Sequence, residues 1–217
     1  MDILNFISWL KSGRYSATVP ANAVTVVGVP TNRRDDSYLP VTVPVSAFGG
    51  QTNIGKLLGG GIVISEWDEN GVHKALIASL TDLSNSLPWT VPAFQGGPAI
   101  GATAQSYSDG LTNTDAIIAQ AGGATTAYAA GIARLYLGGG YNDWYLPATW
   151  ELNMCFNAAA IVNKVLGTLN GFSYAYYWSS TENSVNLAMS QYFPNNNINI
   201  TNKVNPFSVR AVRIHNL

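Results

Sequence analysis

A run of asparagines near the end of the chain is the part of this sequence whose side chains are best suited to chemistry. It lies between a Trp-Ser-Ser-Thr-Glu segment that begins at Trp178 and a Val-Arg-Ala-Val-Arg segment that begins at Val209. Asparagine forms strands poorly and costs free energy when it is buried without partners, so a concentration of it belongs on a surface. The run predicts a solvent-facing surface that hydrogen-bonds a ligand, and its asparagines are Asn183, Asn186, Asn195, Asn196, Asn197, Asn199, Asn202 and Asn205.

Apolar residues recur inside this run and predict how it is held in place. Ala188, Phe193, Ile198 and Val209 are expected to face a core. The other residues supply amide, hydroxyl and aromatic groups, which favour adaptable contacts in binding surfaces. The alternative is that the asparagines only solvate hairpin turns. The residues predicted to face outward and bind a ligand are Asn183, Asn186, Leu187, Met189, Gln191, Tyr192, Pro194, Asn195, Asn196, Asn197, Asn199, Thr201, Asn202, Asn205 and Phe207.

Side chains that could catalyse a reaction are scattered. The single cysteine, Cys155, stands between two apolar residues, which indicates a buried hydrophobic side chain more than a nucleophile. Glu182 is expected to fix a backbone turn or to pair with Arg210 or Arg213. No nucleophile, acid and orienting group occur together, so the sequence predicts a protein that is not an enzyme. Paired carboxylates for glycoside hydrolysis would have to come from Glu66, Asp68, Glu151 or Glu182.

Metal binding is not predicted either. Calcium needs several oxygen ligands that converge on one point. The acids available for such a site, such as Asp109, Asp115 and Asp143, are spread along the chain. The sequence therefore predicts no metal and no cofactor.

The composition indicates partner chains. Of 217 residues, 47% are hydrophobic and only 11% are charged, against about a quarter in an ordinary soluble domain. Because soluble monomers normally keep more charge, we expect partners to cover much of the surface; the alternative is a neutral monomer solvated by Asn, Thr and Ser. The formal net charge of −1 provides no basic field for nucleic acid.

The sequence also predicts where the protein is made. Met1 is followed by Asp2 without a basic region, so no secretory signal is expected. No apolar stretch has the length of a membrane span. We therefore expect synthesis in a cytoplasm, with use there or assembly into a particle.

Residues 1–50 are predicted to be an arm that anchors the chain. Its first ten residues carry apolar side chains at the spacing of an amphipathic helix. A helix this short is not stable alone, so it must dock its apolar face on another surface. That surface is either its own domain or, as we expect, a neighbouring subunit. Extended chain with short valine-rich strands and prolines follows. An Arg-Arg-Asp-Asp cluster is either an inter-subunit contact or a solvated turn. The predicted anchoring residues are Ile3, Phe6, Ile7, Trp9, Leu10, Arg33 and Arg34.

Residues 51–217 are predicted to be one globular domain of the α+β class. Asn70-Gly71 between two apolar runs is a strong hairpin signal. Residues 81–110 are predicted to be a loop with Trp89 as a buried plug beneath it.

Helices are expected where apolar residues repeat at helical spacing. The first should begin near Thr112 or Asn113 as its cap and end at Gly122, and the last should be capped by Thr149. The expected ranges are 112–121, 124–137 and 150–166.

An ordered set of motifs in residues 54–217 resembles the Lcl C-terminal domain family. In chain order the motifs are Gly-Gly-Ile-Val from Gly60, Gly-Gly-Tyr-Asn-Asp-Trp-Tyr-Leu-Pro from Gly139, Glu-Leu at Glu151, Tyr-Trp-Ser-Ser-Thr-Glu from Tyr177 and Val-Arg-Ala-Val-Arg from Val209. The resemblance implies a C-type-lectin-like fold with small antiparallel sheets, about two helices and long loops held by tryptophans. It also implies that the protein displays a ligand site and forms a homotrimer.

Two narrower resemblances concern the ends of the chain. The opening Met-Asp-Ile-Leu-Asn-Phe-Ile-Ser-Trp-Leu, the Arg-Arg-Asp-Asp turn and the valine-proline strand resemble the leader of phage virion proteins with fibre or decoration roles. The asparagine-rich run resembles the variable face in target proteins of diversity-generating retroelements. Together these resemblances predict a phage virion structural protein, fixed to capsid or tail proteins by its arm and binding a host receptor or surface glycan. The alternatives are a capsid decoration protein without a host ligand and a bacterial adhesin domain.

Overall fold

The structure, a computed structural model, describes residues 52–167 and 169–217 together with the backbone of strands between residues 17 and 44. The chain divides into two compact units, Met1–Thr52 and Asn53–Leu217. The residues predicted to anchor the chain lie outside the described part, and their role stays a prediction: Ile3, Phe6, Ile7, Trp9, Leu10, Arg33 and Arg34.

The described strands of the first unit form an antiparallel sheet in the order β1–β2–β3. They are β1 (Ala17–Thr18), β2 (Ala23–Pro30) and β3 (Tyr38–Pro44). Pro40 of the outer strand β3 lies opposite Val27, where the register of the pairing shifts. A proline cannot donate to a strand ladder and is tolerated at an edge or beside an irregularity, which explains how prolines occur among these valine-rich strands.

The second unit has two sheets and is α+β, as predicted. One sheet has the order β12–β6–β5–β4, and the other has the order β10–β9–β8–β11–β7, in which only the β8–β11 pair is parallel. The strands are β4 (Leu57–Leu58), β5 (Gly61–Glu69), β6 (Val72–Ala78), β7 (Ser84–Leu87), β8 (Tyr176–Glu182), β9 (Leu187–Tyr192), β10 (Asn197–Asn202), β11 (Phe207–Val209) and β12 (Val212–Asn216).

The helices differ from the predicted ones at their starts. The helices are α1 (Gly110–Ala121), α2 (Ala129–Leu135) and α3 (Thr149–Leu166). Asp109 caps α1 by accepting the Thr112 N–H at 2.9 Å, so the predicted caps Thr112 and Asn113 lie inside the helix. Helix α2 begins later and ends earlier than predicted, after a turn in which the Tyr128 hydroxyl donates to the Gly123 carbonyl oxygen. The predicted cap Thr149 is the first residue of α3, and Ala148 precedes it.

Several local predictions are confirmed. Asn70 and Gly71 both have positive φ, at 51° and 77°, which suits the tight β5–β6 hairpin. Gly122 ends α1 in the left-handed conformation. Trp89 is fully buried, and its indole N–H donates to the Ser179 carbonyl oxygen at 2.8 Å. The prediction of a loop over 81–110 is wrong at Ser84–Leu87, where β7 pairs with β11.

The five-stranded sheet lies between two apolar clusters. Neighbouring residues of a strand point to opposite faces, so Trp178 joins the cluster around Trp89 and Trp144, whereas Tyr177 joins the cluster under α3 with Phe193. Cys155 lies in the α3 cluster and is fully buried, as predicted. No helix in the part of the chain that the structure describes is long and apolar enough to span a bilayer.

Candidate ligand-binding face

The asparagine-rich run forms an uncharged rim on the second unit. We call residues 183–202 the rim segment; it contains no Asp, Glu, Lys, Arg or His. It comprises the turn after β8, the β9–β10 hairpin and the edge strand β10. Most of its asparagines are exposed, and Asn199 is half-buried.

Four aromatic rings form a stack across the face of the sheet next to this rim. The ring centroids of Tyr192 and Tyr176 are 4.4 Å apart, those of Tyr176 and Phe207 4.8 Å, and those of Phe207 and Trp178 4.7 Å. Trp178 is fully buried, and the other three rings are half-buried. This aromatic stack therefore runs from the core to the surface and stiffens the sheet beneath the rim.

A shallow pocket of about 300 Å³ opens beside the aromatic stack. We call it the rim pocket. Strand β10 contributes residues from its middle, and the stack contributes two rings. The lining residues are Tyr176, Asn199, Ile200, Thr201, Asn205 and Phe207.

Some polar side chains of the lining already make hydrogen bonds within the protein, and others do not. The Thr201 hydroxyl shares a 2.8 Å hydrogen bond with Ser190, and the Asn199 amide donates to the Asn197 carbonyl oxygen at 3.0 Å. Within the described residues, the Asn205 carboxamide and the Tyr176 hydroxyl make no hydrogen bond. These two groups are free to bind a ligand.

Two predicted ligand residues point the other way. Met189 and Gln191 are only 7% and 1% exposed, because alternation along β9 turns them toward α3. The Gln191 amide donates to the Asn153 side chain of α3 at 3.0 Å. The prediction that Met189 and Gln191 face outward is therefore wrong.

The prediction that Ile198 faces a core is wrong as well. It shares the α3 side of the sheet with its cross-strand partner Gln191, but α3 packs on β8 and β9, and β10 lies beyond them at the edge. Ile198 is 43% exposed and Ile200 is 56% exposed. The other three residues expected in the core, Ala188, Phe193 and Val209, are buried.

Some rim asparagines also stabilise turns, which was the alternative interpretation of the run. The Asn195 side chain accepts the Asn197 N–H at 3.2 Å, and the Asn202 side chain accepts the Val204 N–H at 3.2 Å. Asn196 holds a positive φ of 63° in the β9–β10 turn. The remaining predicted residues lie on the surface or at half-buried positions around it: Asn183, Asn186, Leu187, Tyr192, Pro194, Asn197, Asn199, Thr201, Asn205 and Phe207.

A buried ion pair fixes the chain directly after the rim segment. The Lys203 ammonium lies 2.6 Å from the Glu182 carboxylate, and both side chains are fully buried. Glu182 also accepts the N–H groups of Ile100 and Gly101 at 3.1 and 2.8 Å, while Lys203 lies over the Trp89 ring. The predicted role of Glu182 in fixing a backbone turn is confirmed.

The predicted alternative partners of Glu182 make other contacts. Arg210 lies 2.9 Å from Asp82, and Arg213 binds both carboxylate oxygens of Asp143 at 2.6 and 2.8 Å. Pairing of Glu182 with either arginine is therefore wrong. A signal for Lys203 was present, because it is the one charged residue between Glu182 and Arg210.

Burial and hydrogen bonding shift the pKa values of these carboxyl groups in different directions. Burial raises the pKa of Asp82 and outweighs the attraction of Arg210. The hydrogen bonds from Arg213 lower the pKa of Asp143. Burial raises the pKa of Glu151 to about 7, although this carboxylate accepts the N–H groups of Ala148 and Gly110.

The carboxylates named as candidates for glycoside hydrolysis contact other groups of the chain, and Glu66 accepts the Asn53 N–H at 3.0 Å. Glu151 and Glu182 hold backbone N–H groups, and His73 bonds Asp68 at 2.7 Å. Burial raises the pKa of the Cys155 thiol to about 12, which keeps it protonated. Among the residues that the structure describes, no three His, Cys, Asp or Glu side chains group as metal ligands would.

Motifs, sheets and helices together define a small α+β domain with a tryptophan-rich core and a displayed hairpin edge. Residues 78–213 match the Lcl C-terminal domain family, and the chain belongs to that family. A comparison with curated proteins finds no match. Among solved structures, a fimbrial protein from Bacteroides ovatus is similar to this chain, with 14% sequence identity and a TM-score of 0.41. The match covers 94% of this chain and 46% of the fimbrial protein. This chain therefore spans less than half the length of the fimbrial protein.

Proposed function

We propose that this chain is a phage virion structural protein that displays a C-type-lectin-like domain for adhesion. Its ligand is a receptor or glycan on the host surface, bound without covalent chemistry. The binding face is the solvent-facing part of the rim segment with the adjoining aromatic stack. The protein acts as a binding module and has no enzymatic activity.

The observation that carries this proposal is the absence of charge from an exposed hairpin edge. The rim segment has no charged side chain among its twenty residues, yet most of its asparagines are exposed to solvent. Exposed strand edges are ordinarily protected by lysines or prolines, because bare edges pair with other chains. A surface that keeps amides, hydroxyls and isoleucines at such an edge is suited to contact with another molecule.

The arm supplies the proposed attachment to the particle. Its opening residues, which lie outside the described part, resemble virion leaders. Ile3, Phe6, Ile7, Trp9 and Leu10 would insert into a neighbouring capsid or tail protein, with Arg33 and Arg34 pairing nearby. The low charge of the whole chain supports assembly, and a homotrimer in the virion is our proposed state.

A capsid decoration protein without a host ligand is the second candidate. The exposed side chains of Ile198 and Ile200 favour it, because apolar residues at a sheet edge suit a permanent contact with another virion subunit. The turn-forming bonds of Asn195 and Asn202 favour it as well.

Replacing Asn195, Asn197 and Asn199 together with alanine distinguishes the two. Under the adhesion proposal, virions carrying this variant assemble normally but no longer adsorb to host cells. A matched control replaces three exposed asparagines elsewhere, Asn85, Asn142 and Asn157, and should adsorb like the wild type. Unchanged adsorption of the rim variant would favour the decoration role.

Deleting residues 2–12 tests the attachment. The shortened protein should be made and folded but missing from purified particles. Its presence there at the normal level would reject the anchoring role of the arm.

A further inference from the structure

The rim pocket offers a more specific assignment, which rests on the proposed adhesive function. We infer that it holds one ring of a neutral saccharide, bound without a metal ion. Three properties of the lining point to this ligand: its charge, its hydrogen-bonding groups and its size.

The pocket has no ionic partner for a charged ligand. None of its six lining residues is charged. Lys203 follows the strand that lines the pocket, but its side chain is fully buried and paired with Glu182. Phosphate, sulfate and carboxylate groups are bound in proteins mainly by arginine and lysine, so anionic glycans and phosphorylated ligands find no counter-charge in this lining.

The free polar groups match vicinal hydroxyls. A carboxamide presents one acceptor and one donor side by side, so it can bind two neighbouring hydroxyl groups of a sugar at once. Asn205 has its whole carboxamide available, and Asn199 keeps its oxygen. The Tyr176 hydroxyl adds a group that both donates and accepts. Several neutral donors and acceptors therefore lie close together in the lining, as the hydroxyl groups of a sugar ring require.

The floor of the pocket is apolar. The rings of Tyr176 and Phe207 are stacked on each other at 4.8 Å and present mainly their edges to the pocket, whereas the Ile200 side chain lies on the α3 side of the sheet with its cross-strand partner Met189. The C–H groups of a sugar ring can pack on such a surface while its hydroxyls reach the amides. A volume of about 300 Å³ is at the lower limit for small-molecule sites and suits one ring better than a chain of several.

A metal ion is not needed for this contact. Calcium is held by several converging oxygens, among which carboxylates carry the charge. The lining residues include no carboxylate. Binding should therefore be the same in the presence of EDTA.

The test uses the purified full-length protein and neutral monosaccharides: glucose, galactose, mannose, N-acetylglucosamine and N-acetylgalactosamine. Saturation-transfer NMR and amide shift titrations should detect at least one of them. Asn205→Ala and Tyr176→Phe should each weaken that sugar roughly threefold to tenfold, which corresponds to one lost neutral hydrogen bond. Tyr176→Phe keeps the ring in the aromatic stack, so the fold is preserved. Asn85→Ala, an exposed change elsewhere, is the control and should leave the affinity unchanged.

Failure of this inference can be told apart from failure of adhesion. If no neutral sugar binds, or if binding is indifferent to both Asn205→Ala and Tyr176→Phe, the saccharide assignment is overturned. Preference for a sulfated or sialylated glycan would overturn it as well. The adhesive function would still stand if replacement of Asn195, Asn197 and Asn199 abolishes adsorption, and it would fall only if that variant adsorbs normally.

Discussion

The interior of the second unit contains charged side chains, whereas its exposed rim segment contains none. Ordinary domains leave charged side chains in water and bury few of them. Here the rim segment has none, while five charged residues are buried elsewhere in the second unit: Glu151, Glu182, Lys203, Arg210 and Arg213.

The two regions also differ in the reach of their hydrogen bonds. The Arg210 guanidinium donates to the carbonyl oxygens of Ser79 and Gly171, segments that are distant in sequence. Rim asparagines mostly bond residues two positions away, as Asn195 does with Asn197. Because burying a charge is costly unless geometry and partners are fixed, the interior pairs tolerate little change. Side chains of the rim segment can be replaced without disturbing these interior pairs. We therefore expect the stability of the fold and the proposed ligand binding to depend on different residues.

The largest effect is expected from breaking the interior pair under the rim. Lys203→Met should lower the free energy of unfolding by about 3 to 5 kcal/mol, because it leaves the buried Glu182 carboxylate without its cation. Urea unfolding followed by tryptophan fluorescence measures this. The double variant Lys203→Met with Glu182→Gln removes both charges and should be more stable than the single variant. A loss below about 1 kcal/mol for Lys203→Met would mean that the Glu182 carboxylate is not left as an uncompensated buried charge.

A second test uses pH. Burial raises the pKa of Glu151 from 4.5 to about 7, so the folded state binds a proton that the unfolded state has released. The contribution is fully present below pH 4.5 and is lost as pH rises through about 7, which amounts to about 3 kcal/mol.

The variant Glu151→Gln isolates this contribution. Its amide can donate to the Tyr145 hydroxyl, the group that bonds Glu151 at 2.7 Å. The difference in unfolding free energy between wild type and variant should change across pH 4.5–7.5, with the wild type losing stability as pH rises. A constant difference across this range would contradict the raised pKa.

Local chemistry explains which features the sequence predicted well. The Asn70-Gly71 hairpin, the end of α1 at Gly122 and the burial of Trp89 depend on turn residues and apolar runs that are read within a few positions. These predictions required no knowledge of distant partners.

Long-range contacts explain the errors. Glu182 pairs with Lys203, 21 residues later, because the chain crosses the sheet after β10. The cap of α1 is an error of another kind, since Asp109 lies only three residues before Thr112, the group that it caps. Alternation in β10 was visible in the sequence, but its position at the sheet edge was not, and this left Ile198 in solvent. The types of the residues were enough to predict which segment forms the candidate face. The direction of each side chain could not be predicted, because it depends on which strands α3 covers.

A comparison of two asparagines gives the smallest expected effect and tests whether interior side chains contribute more to stability than those at the rim. Asn113 is fully buried; its side chain accepts the Ser106 N–H at 3.1 Å and donates to the Ser106 carbonyl oxygen at 2.7 Å. Asn113→Ala should cost about 1 to 3 kcal/mol, because it leaves buried backbone groups without partners.

The same substitution in the rim pocket should change stability very little. The side chain of Asn205 makes no hydrogen bond within the described residues, so Asn205→Ala should change the unfolding free energy by less than about 0.5 kcal/mol. Urea midpoints of the two variants, measured side by side, check this. Equal losses in both would mean that the rim contributes to the fold as the interior does. In that case the asparagines of the run would be structural, and the decoration role would be the better account of the chain.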